Sequence, residues 1–125
     1  MNAAEFDASL WHYRARYIRA IDGDTLLCLV ELPFGLRYEM RVRLAGFSAP
    51  ERNTLEGQLA AQRMRELFAG DRYTGAMLET RYWPLRIVTE KRPSGDETTS
   101  FERYVARVYL CSEDHELTDL VGLLS

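Results

Sequence analysis

Two short stretches in the first half of the chain carry residue types that metal and phosphate sites use. The first, "RAIDGDTLLCLVEL" (19–32), places Asp22 and Asp24 on either side of a glycine between two apolar runs. The second, "RVRLAGFSAPER" (41–52), combines arginines with Glu51. Carboxylate oxygens are the ligands that hard divalent cations prefer, and guanidinium groups suit phosphate oxygens. The question is whether the acidic pair is only a turn, or half of a metal site that the second stretch completes.

Each of these residues, taken alone, is more typical of structure than of chemistry. An Asp-Gly pair between two strands is the commonest short hairpin signal. Arg43, inside an alternating run, is typical of a solvated strand face, and Pro50-Glu51 is typical of a helix lead-in, where Glu is favoured in the first turn. Arg103, at the start of a later strand-like run, is equally ordinary. A functional interpretation therefore depends on the whole set and on the elements that would position it.

Alternation of apolar and polar residues predicts a three-stranded meander at the start of the chain. Period-two patterns cover 13–20 and 37–45, and a largely apolar run covers 25–32. The acidic Asp-Gly-Asp segment would form the first turn and "PFG" (33–35) the second. Residues 1–12 are expected to be a lead-in with one or two helical turns.

From Thr54 onward the pattern changes to that of an amphipathic helix. Thr54 is a suitable N-cap, and Gly70 is a suitable residue just past the C-terminal end. The spacing predicts one apolar face, made of Leu55, Leu59, Ala60, Met64, Leu67 and Phe68.

The order of elements predicts one domain over residues 1–125 that is mainly β with some α. Strands at 85–90 and 103–111 follow the helix, and a short helix is predicted at 115–124, whereas 71–84 has no clear pattern. Five strands with a helix after the third are typical of a five-stranded Greek-key barrel of the OB type. A chain of 125 residues is long enough for one such hydrophobic core.

Taken together, the singled-out residues resemble the staphylococcal nuclease (thermonuclease) family. That family has "IDGDT" in its first hairpin, then "R-L-x-x-(I/V)-D-(A/T)-P-E", and later "Y-G-R-x-L-A-x-V". The corresponding segments here are "IDGDT" (21–25), "RLAGFSAPE" (43–51) and "FERYVARV" (101–108). The spacing of the second segment agrees without gaps, and the resemblance covers about 13–124.

The resemblance implies an OB-fold phosphodiesterase that hydrolyses DNA or RNA with Ca²⁺. Carried over to this chain, it makes Asp24 a metal ligand and Asp22 a supporting carboxylate, with the main-chain carbonyl of Ala49 beside them. Ser48 stands where the family has its second calcium-binding aspartate. Because a hydroxyl is a neutral and weaker ligand, metal affinity is expected to fall by at least about 10–100-fold.

The resemblance also implies three catalytic residues. Glu51 would orient or deprotonate the attacking water, while Arg43 and Arg103 would hold the phosphate and offset the charge that develops in the transition state. Beside Arg103, Glu102 replaces a glycine and Phe101 replaces a tyrosine, and the long C-terminal helix of the family is missing. These departures bear on activity more than on the fold.

Composition and residue patterns argue against several classes of protein. A net charge of −3 is not typical of a nucleic-acid binder, since tight non-specific binding usually comes with a basic surface. His12 and His115 are isolated, so a zinc site is not expected, and Cys28 and Cys111 resemble small buried hydrophobic residues. No apolar run reaches the roughly 20 residues of a membrane span. Without a signal-peptide pattern, we expect an intracellular protein or part of an assembly made inside a cell.

Three hypotheses follow for the function. The first is a divalent-metal-dependent nuclease. The second is a catalytically impaired nuclease-like barrel that binds nucleic acid or protein partners in an assembly such as a phage particle, which the serine at position 48 and the acidic net charge favour. The third is an OB-like barrel with no site. We rank the nuclease slightly ahead of the impaired module and the third hypothesis last.

Overall fold

A computed structural model describes residues 1–8, 10–69, 83–89, 103–111 and 116–125. Predictions that concern Gly70, Phe101, Glu102 and His115, and most of the segment 71–84, lie outside these residues. The described elements are α1 (Ala3–Ala8), β1 (His12–Asp22), β2 (Thr25–Glu31), β3 (Arg37–Leu44), α2 (Leu55–Leu67), β4 (Leu85–Thr89), β5 (Arg103–Cys111), β6 (Leu117–Asp119) and α3 (Leu120–Leu124).

The predicted meander is confirmed. Strands β1 and β2 pair antiparallel up to Asp22 opposite Thr25, and β2 pairs antiparallel with β3 from Thr25 opposite Arg43 to Glu31 opposite Arg37. Alternate side chains are buried along β2 and in the second half of β3. In β1 the alternation is interrupted by register shifts between Tyr17 and Arg19 and between Ala20 and Asp22. The candidate residues at the Asp22–Asp24 turn and at Arg43 therefore lie at the same end of the meander.

Two further pairings close the sheet into a barrel. Strand β4 pairs antiparallel with β1 and β5, and β5 pairs in parallel with β3, with Val105 beside Arg43. The result is a closed, mixed five-stranded barrel, and β6 adds a sixth strand to β5. The expected fold class, mainly β with some α and an OB-like barrel, is confirmed.

The barrel encloses one hydrophobic core that α2 covers on the side of β1. The ring of Tyr17 in β1 stacks on Phe68 at the end of α2, with 4.1 Å between ring centroids and 6° between planes. The core is formed by Ala15, Ala20, Leu26, Cys28, Val30, Val42, Leu44, Met64, Phe68, Leu85, Ile87, Ala106, Val108, Leu110, Leu120 and Leu124.

The predicted apolar face of α2 is wrong in part. Leu55 and Leu59 are 72% and 57% exposed, whereas the helix buries Gly57, Ala61 and Met64. A glycine and an alanine on the buried stripe bring the helix backbone close to the rest of the protein, and this rotates the larger leucines toward solvent. The N-cap prediction is confirmed, because the Thr54 side chain accepts a hydrogen bond from the Gly57 amide at 3.0 Å.

The C-terminal prediction also needs correction. A helix was expected over 115–124, but Leu117–Asp119 form β6 and only Leu120–Leu124 are helical. Asp119 caps this short helix by accepting a hydrogen bond from the Val121 amide at 3.0 Å. The strand forms because the open edge of β5 offers backbone partners that an isolated helix pattern does not reveal.

Two further expectations are confirmed in the described residues. Residues 3–8 form the expected short N-terminal helix, and both cysteine side chains are buried. In the described part of the chain no helix has the length and apolar character needed to cross a membrane.

Candidate functional site

The acidic turn between β1 and β2 is packed against the loop that precedes α2. A Cβ atom added to Gly23 would come within 2.6 Å of the Cβ of Ala60 in α2 and 2.7 Å of the Cβ of Ala49 in the loop. Such distances are far below van der Waals contact, so only glycine fits at this place. Gly23 therefore allows three chain segments to approach one another closely, and it also forms the turn.

Asp24 connects the turn to this loop. Its Oδ2 accepts a hydrogen bond from the Ala49 amide at 3.1 Å, and its Oδ1 accepts one from the Thr25 hydroxyl at 3.0 Å. Its main-chain carbonyl accepts a hydrogen bond from the Leu44 amide at 2.9 Å. Asp24 is half-buried and Thr25 is buried, so the carboxylate is held in one place by the fold itself.

The two aspartates of the turn have opposite pKa shifts. Partial burial raises the pKa of Asp22, and the adjacent Asp24 carboxyl group raises it further. Partial burial also raises the pKa of Asp24, but this effect is outweighed by hydrogen bonds to its charged form and by the positive charge of Arg43, so its pKa is lowered overall. Two like charges at close range thus make Asp22 the first of the pair to take up a proton as the pH falls, while Asp24 keeps its charge.

Arg43 reaches the same loop from β3. It is half-buried, lies opposite Thr25 in the strand register, and its Nη2 donates to the Ser48 hydroxyl at 3.4 Å. The Ser48 hydroxyl is neutral, so the arginine gains a hydrogen-bond partner but no opposite charge from this residue. The fold therefore brings together Asp22, Asp24, Arg43, Ser48 and the main chain of Ala49.

Glu51 follows Ala49 by two residues and is held through its main chain. Its carbonyl oxygen accepts hydrogen bonds from the Thr54 amide at 3.0 Å and from the Thr54 hydroxyl at 2.7 Å. The side chain of Glu51 is exposed. This combination of a fixed backbone and a solvent-accessible carboxylate is compatible with proton transfer to or from a bound molecule.

Arg103 is placed by strand register alone. It begins β5 and pairs with Arg41 of β3, two residues before the pairing of Val105 with Arg43. Paired residues of parallel strands, and residues two apart on one strand, belong to the same sheet face. Its register position is therefore on the face that carries Arg43.

The oxygen donors of the site match a hard divalent cation by type but are few. Asp22 and Asp24 supply two carboxylates, Ser48 a hydroxyl and Ala49 a carbonyl, all of the kind that Ca²⁺ uses. A cation would also offset the repulsion between the two carboxylates. Within the residues that the structure describes, no three His, Cys, Asp or Glu residues form a metal-binding group. By type these oxygen donors could accept a divalent cation, but they fall one carboxylate short of such a group.

Gly57 in the first half of α2 is a supporting residue that the sequence pattern did not reveal. A Cβ atom at this position would overlap the carbonyl oxygen of Glu51 and lie 2.5 Å from its carbonyl carbon. The helix therefore packs directly under the Pro50-Glu51 backbone. The available signal was a glycine inside a helical pattern, which often marks a close packing contact.

Replacing Gly57 with alanine is expected to lower the free energy of unfolding by about 1–3 kcal/mol, because the added methyl group meets backbone and not a flexible side chain. In an unobstructed helix the same change would stabilise by up to about 1 kcal/mol. Urea unfolding of the purified variant measures the difference.

Gly122 in α3 supplies the matched control, since a Cβ atom there meets no atom within 4 Å. Gly122→Ala is expected to leave stability unchanged or slightly higher. A Gly57→Ala variant that is as stable as the native chain would contradict the close contact between α2 and the Glu51 backbone.

Comparisons with known proteins do not add a family to this description. No protein-family model matches the chain, and no curated protein matches it. Any function is therefore argued from the barrel and from the contacts around Asp24.

Proposed function

We propose that this protein is a metal-dependent phosphodiesterase that hydrolyses DNA or RNA inside the cell, with Ca²⁺ as the expected cation. The observation that carries the proposal is the junction of the acidic turn with the loop before α2. There the Asp24 carboxylate accepts a hydrogen bond from the Ala49 amide, and the Arg43 guanidinium donates one to the Ser48 hydroxyl. The loop before α2 thus contacts the Asp24 carboxylate and the Arg43 guanidinium, and it also contains Glu51. The order and spacing of these residues, which resemble staphylococcal nuclease, support the same chemistry.

In this proposal Asp24 and Asp22 would hold the cation, with weaker oxygens from Ser48 and Ala49. When bound, the cation would polarise a phosphoryl oxygen and acidify a water molecule. The hydrogen bonds from the Ala49 amide and the Thr25 hydroxyl keep the Asp24 carboxylate oriented. The lowered pKa of Asp24 keeps that carboxylate in the charged form that a cation needs.

The remaining groups act on the phosphate and on water. Arg43 and Arg103 bind the phosphate oxygens and offset negative charge in the transition state, since phosphoryl transfer depends mainly on positioning and positive charge. Glu51 accepts a proton from the attacking water or orients it. The hydrogen bonds from Thr54 to the Glu51 carbonyl limit the positions that this carboxylate can reach.

A second candidate function is a nuclease-like barrel without catalytic activity that binds nucleic acid or protein partners in a larger assembly. It is favoured by the two-carboxylate donor set, to which Ser48 adds only a neutral hydroxyl, and by the net charge of −3. In this case the same turn and loop stabilise the barrel and do not need a cation.

A cleavage assay distinguishes the two functions. Single-stranded DNA and RNA are incubated with the purified chain in Ca²⁺, Mg²⁺, Mn²⁺ or EDTA. Asp24→Asn serves as the site variant. Asp7→Asn, on the exposed helix α1, is the matched control for the same substitution.

Cleavage that requires a divalent cation, persists in Asp7→Asn and is lost in Asp24→Asn is the expected result. Equal cleavage by all variants would indicate a contaminating nuclease and would contradict the proposal. Complete inactivity of a folded native chain in every metal would favour the non-catalytic module.

A further inference from the structure

The outer side of β1–β3 carries an unusual concentration of arginine. The side chains that alternate with the core residues form rows across the three strands. One row consists of Arg16, Leu29 and Glu39. Another consists of Arg19, Leu27 and Arg41. We call this set the arginine face; its charged members are Arg14, Arg16, Arg19, Arg37, Arg41, Glu31 and Glu39.

The charge of the arginine face is opposite to that of the protein. Five arginines against two glutamates make the face positive, whereas the whole chain has a net charge of −3. One of the glutamates is already paired, because the Glu31 carboxylate accepts hydrogen bonds from Arg14 at 2.8 and 2.9 Å. The positive potential is therefore a local property of this face, and an acidic net charge does not exclude a polyanionic ligand there.

Three of the arginines gather around one aromatic ring. The guanidinium carbon of Arg16 lies 4.2 Å from the centroid of the Trp83 ring, and those of Arg37 and Arg14 lie at 5.5 and 5.7 Å. Trp83 is only 4% exposed, so its ring lies buried beneath the three guanidinium groups. Cation–π attraction holds the guanidiniums near the ring but does not neutralise their charges.

The cluster has unused hydrogen-bonding capacity. The Nε atom of Arg16 is buried and has no hydrogen-bond partner among the described residues. Partial burial lowers the pKa of Arg16, and the nearby charge of Arg37 lowers it further, with Glu31 acting in the opposite direction. Buried donors are normally satisfied, so the hydrogen bonding of Arg16 is incomplete at this atom. The Nε atom is enclosed, but the like charges of Arg16 and the exposed Arg37 favour an anion beside them.

We propose that the arginine face binds the phosphate backbone of a nucleic-acid strand, which runs from the candidate site at Arg43 along β3 to the Trp83 cluster. Arg37, Glu39, Arg41 and Arg43 are alternate residues of β3 on one sheet face, so this row offers three arginines and one glutamate over roughly 20 Å at about 3.3 Å per residue. Arginine suits this role because its planar donors bind phosphate oxygens in pairs. The proposal takes the identity of the ligand from the proposed nuclease function, but the binding itself does not require catalysis.

The test measures binding without cleavage. A fluorescently labelled single-stranded 20-mer of DNA or RNA is titrated with protein in EDTA, and the dissociation constant is followed by anisotropy at several salt concentrations. The variants are Arg37→Gln, Arg37→Lys, which keeps the charge, and Arg63→Gln, an exposed α2 residue outside the arginine face. Thermal melting verifies that each variant is folded.

Loss of one phosphate contact is expected to reduce the slope of log affinity against log salt by about 0.7 in Arg37→Gln. Arg37→Lys should keep most of the native slope, and Arg63→Gln should keep all of it. The proposal would be overturned if Arg37→Gln had the same affinity and slope as Arg63→Gln. It would also be overturned if the native chain bound neither oligonucleotide.

The two proposals can fail separately. If the native chain cleaves nothing but the Arg37→Gln slope changes as expected, the nuclease function fails and the arginine face stands. If metal-dependent cleavage is lost in Asp24→Asn but Arg37→Gln binds as the Arg63→Gln control does, the arginine face fails and the nuclease function stands.

Discussion

Replacing Glu51 with glutamine is expected to lower the rate of metal-dependent cleavage by about 10²–10⁴-fold, the range typical for loss of a general base. Glutamine keeps the size of the side chain and the exposed position but cannot accept a proton from water. The main-chain hydrogen bonds from Thr54 to the Glu51 carbonyl do not involve the side chain, so the fold should be preserved. The measurement is kcat on a single-stranded oligonucleotide at saturating cation.

Glu56→Gln is the matched control for this substitution. Glu56 lies in the first turn of α2, is exposed, and undergoes the same change of charge five residues further along the chain. It is expected to cleave at the native rate. Should the two variants be equally active, Glu51 is not the base, and the proton must be accepted by another group.

Replacing Ser48 with aspartate is expected to tighten Ca²⁺ binding by at least about 10–100-fold. The change adds a third carboxylate to the two of the acidic turn, beside Arg43, whose Nη2 already lies 3.4 Å from the Ser48 hydroxyl. The neighbouring guanidinium offsets part of the added negative charge, so we expect the fold to tolerate the substitution. Isothermal titration calorimetry with CaCl₂ measures the affinity.

Ser48→Asn separates charge from size in this experiment. Asparagine is close to aspartate in shape but brings no negative charge, so it should bind Ca²⁺ no more than slightly better than the native chain. Equal affinities for the two variants would show that position 48 does not face the cation. If the native chain is inactive but Ser48→Asp cleaves, one residue accounts for the loss of activity; if both are inactive, the non-catalytic module is favoured.

The amino-acid sequence by itself determined the local elements of this protein. Period-two alternation identified β1 and β3, a largely apolar run identified β2, and turn residues identified their connections, because strand faces and tight turns depend on neighbours a few positions away. The Thr54 cap was equally readable, since its hydrogen bond to the Gly57 amide spans only three residues. The roles of the candidate residues were instead implied by the resemblance of three short segments to the staphylococcal nuclease family.

Only the tertiary structure decided how these elements meet. The parallel pairing of β3 with β5 places Arg43 beside Val105, and the edge of β5 turns Leu117–Asp119 into a strand where a helix was expected. The burial of Gly57 under the Glu51 backbone decides which side of α2 faces the core. Each of these outcomes depends on contacts between residues distant in sequence, which no local pattern encodes.

The same distinction applies to the two surfaces proposed to bind phosphate. The acidic turn and the loop after β3 could be recognised as motifs, but the Ala49 amide that orients Asp24 could not, because 25 positions separate the two partners. The arginine face was not recognised at all, since Arg16 and Arg37 come together over Trp83 only when three strands and the segment before β4 are assembled. The net charge indicated an acidic protein, whereas the folded sheet brings five of the fifteen arginines together on one face.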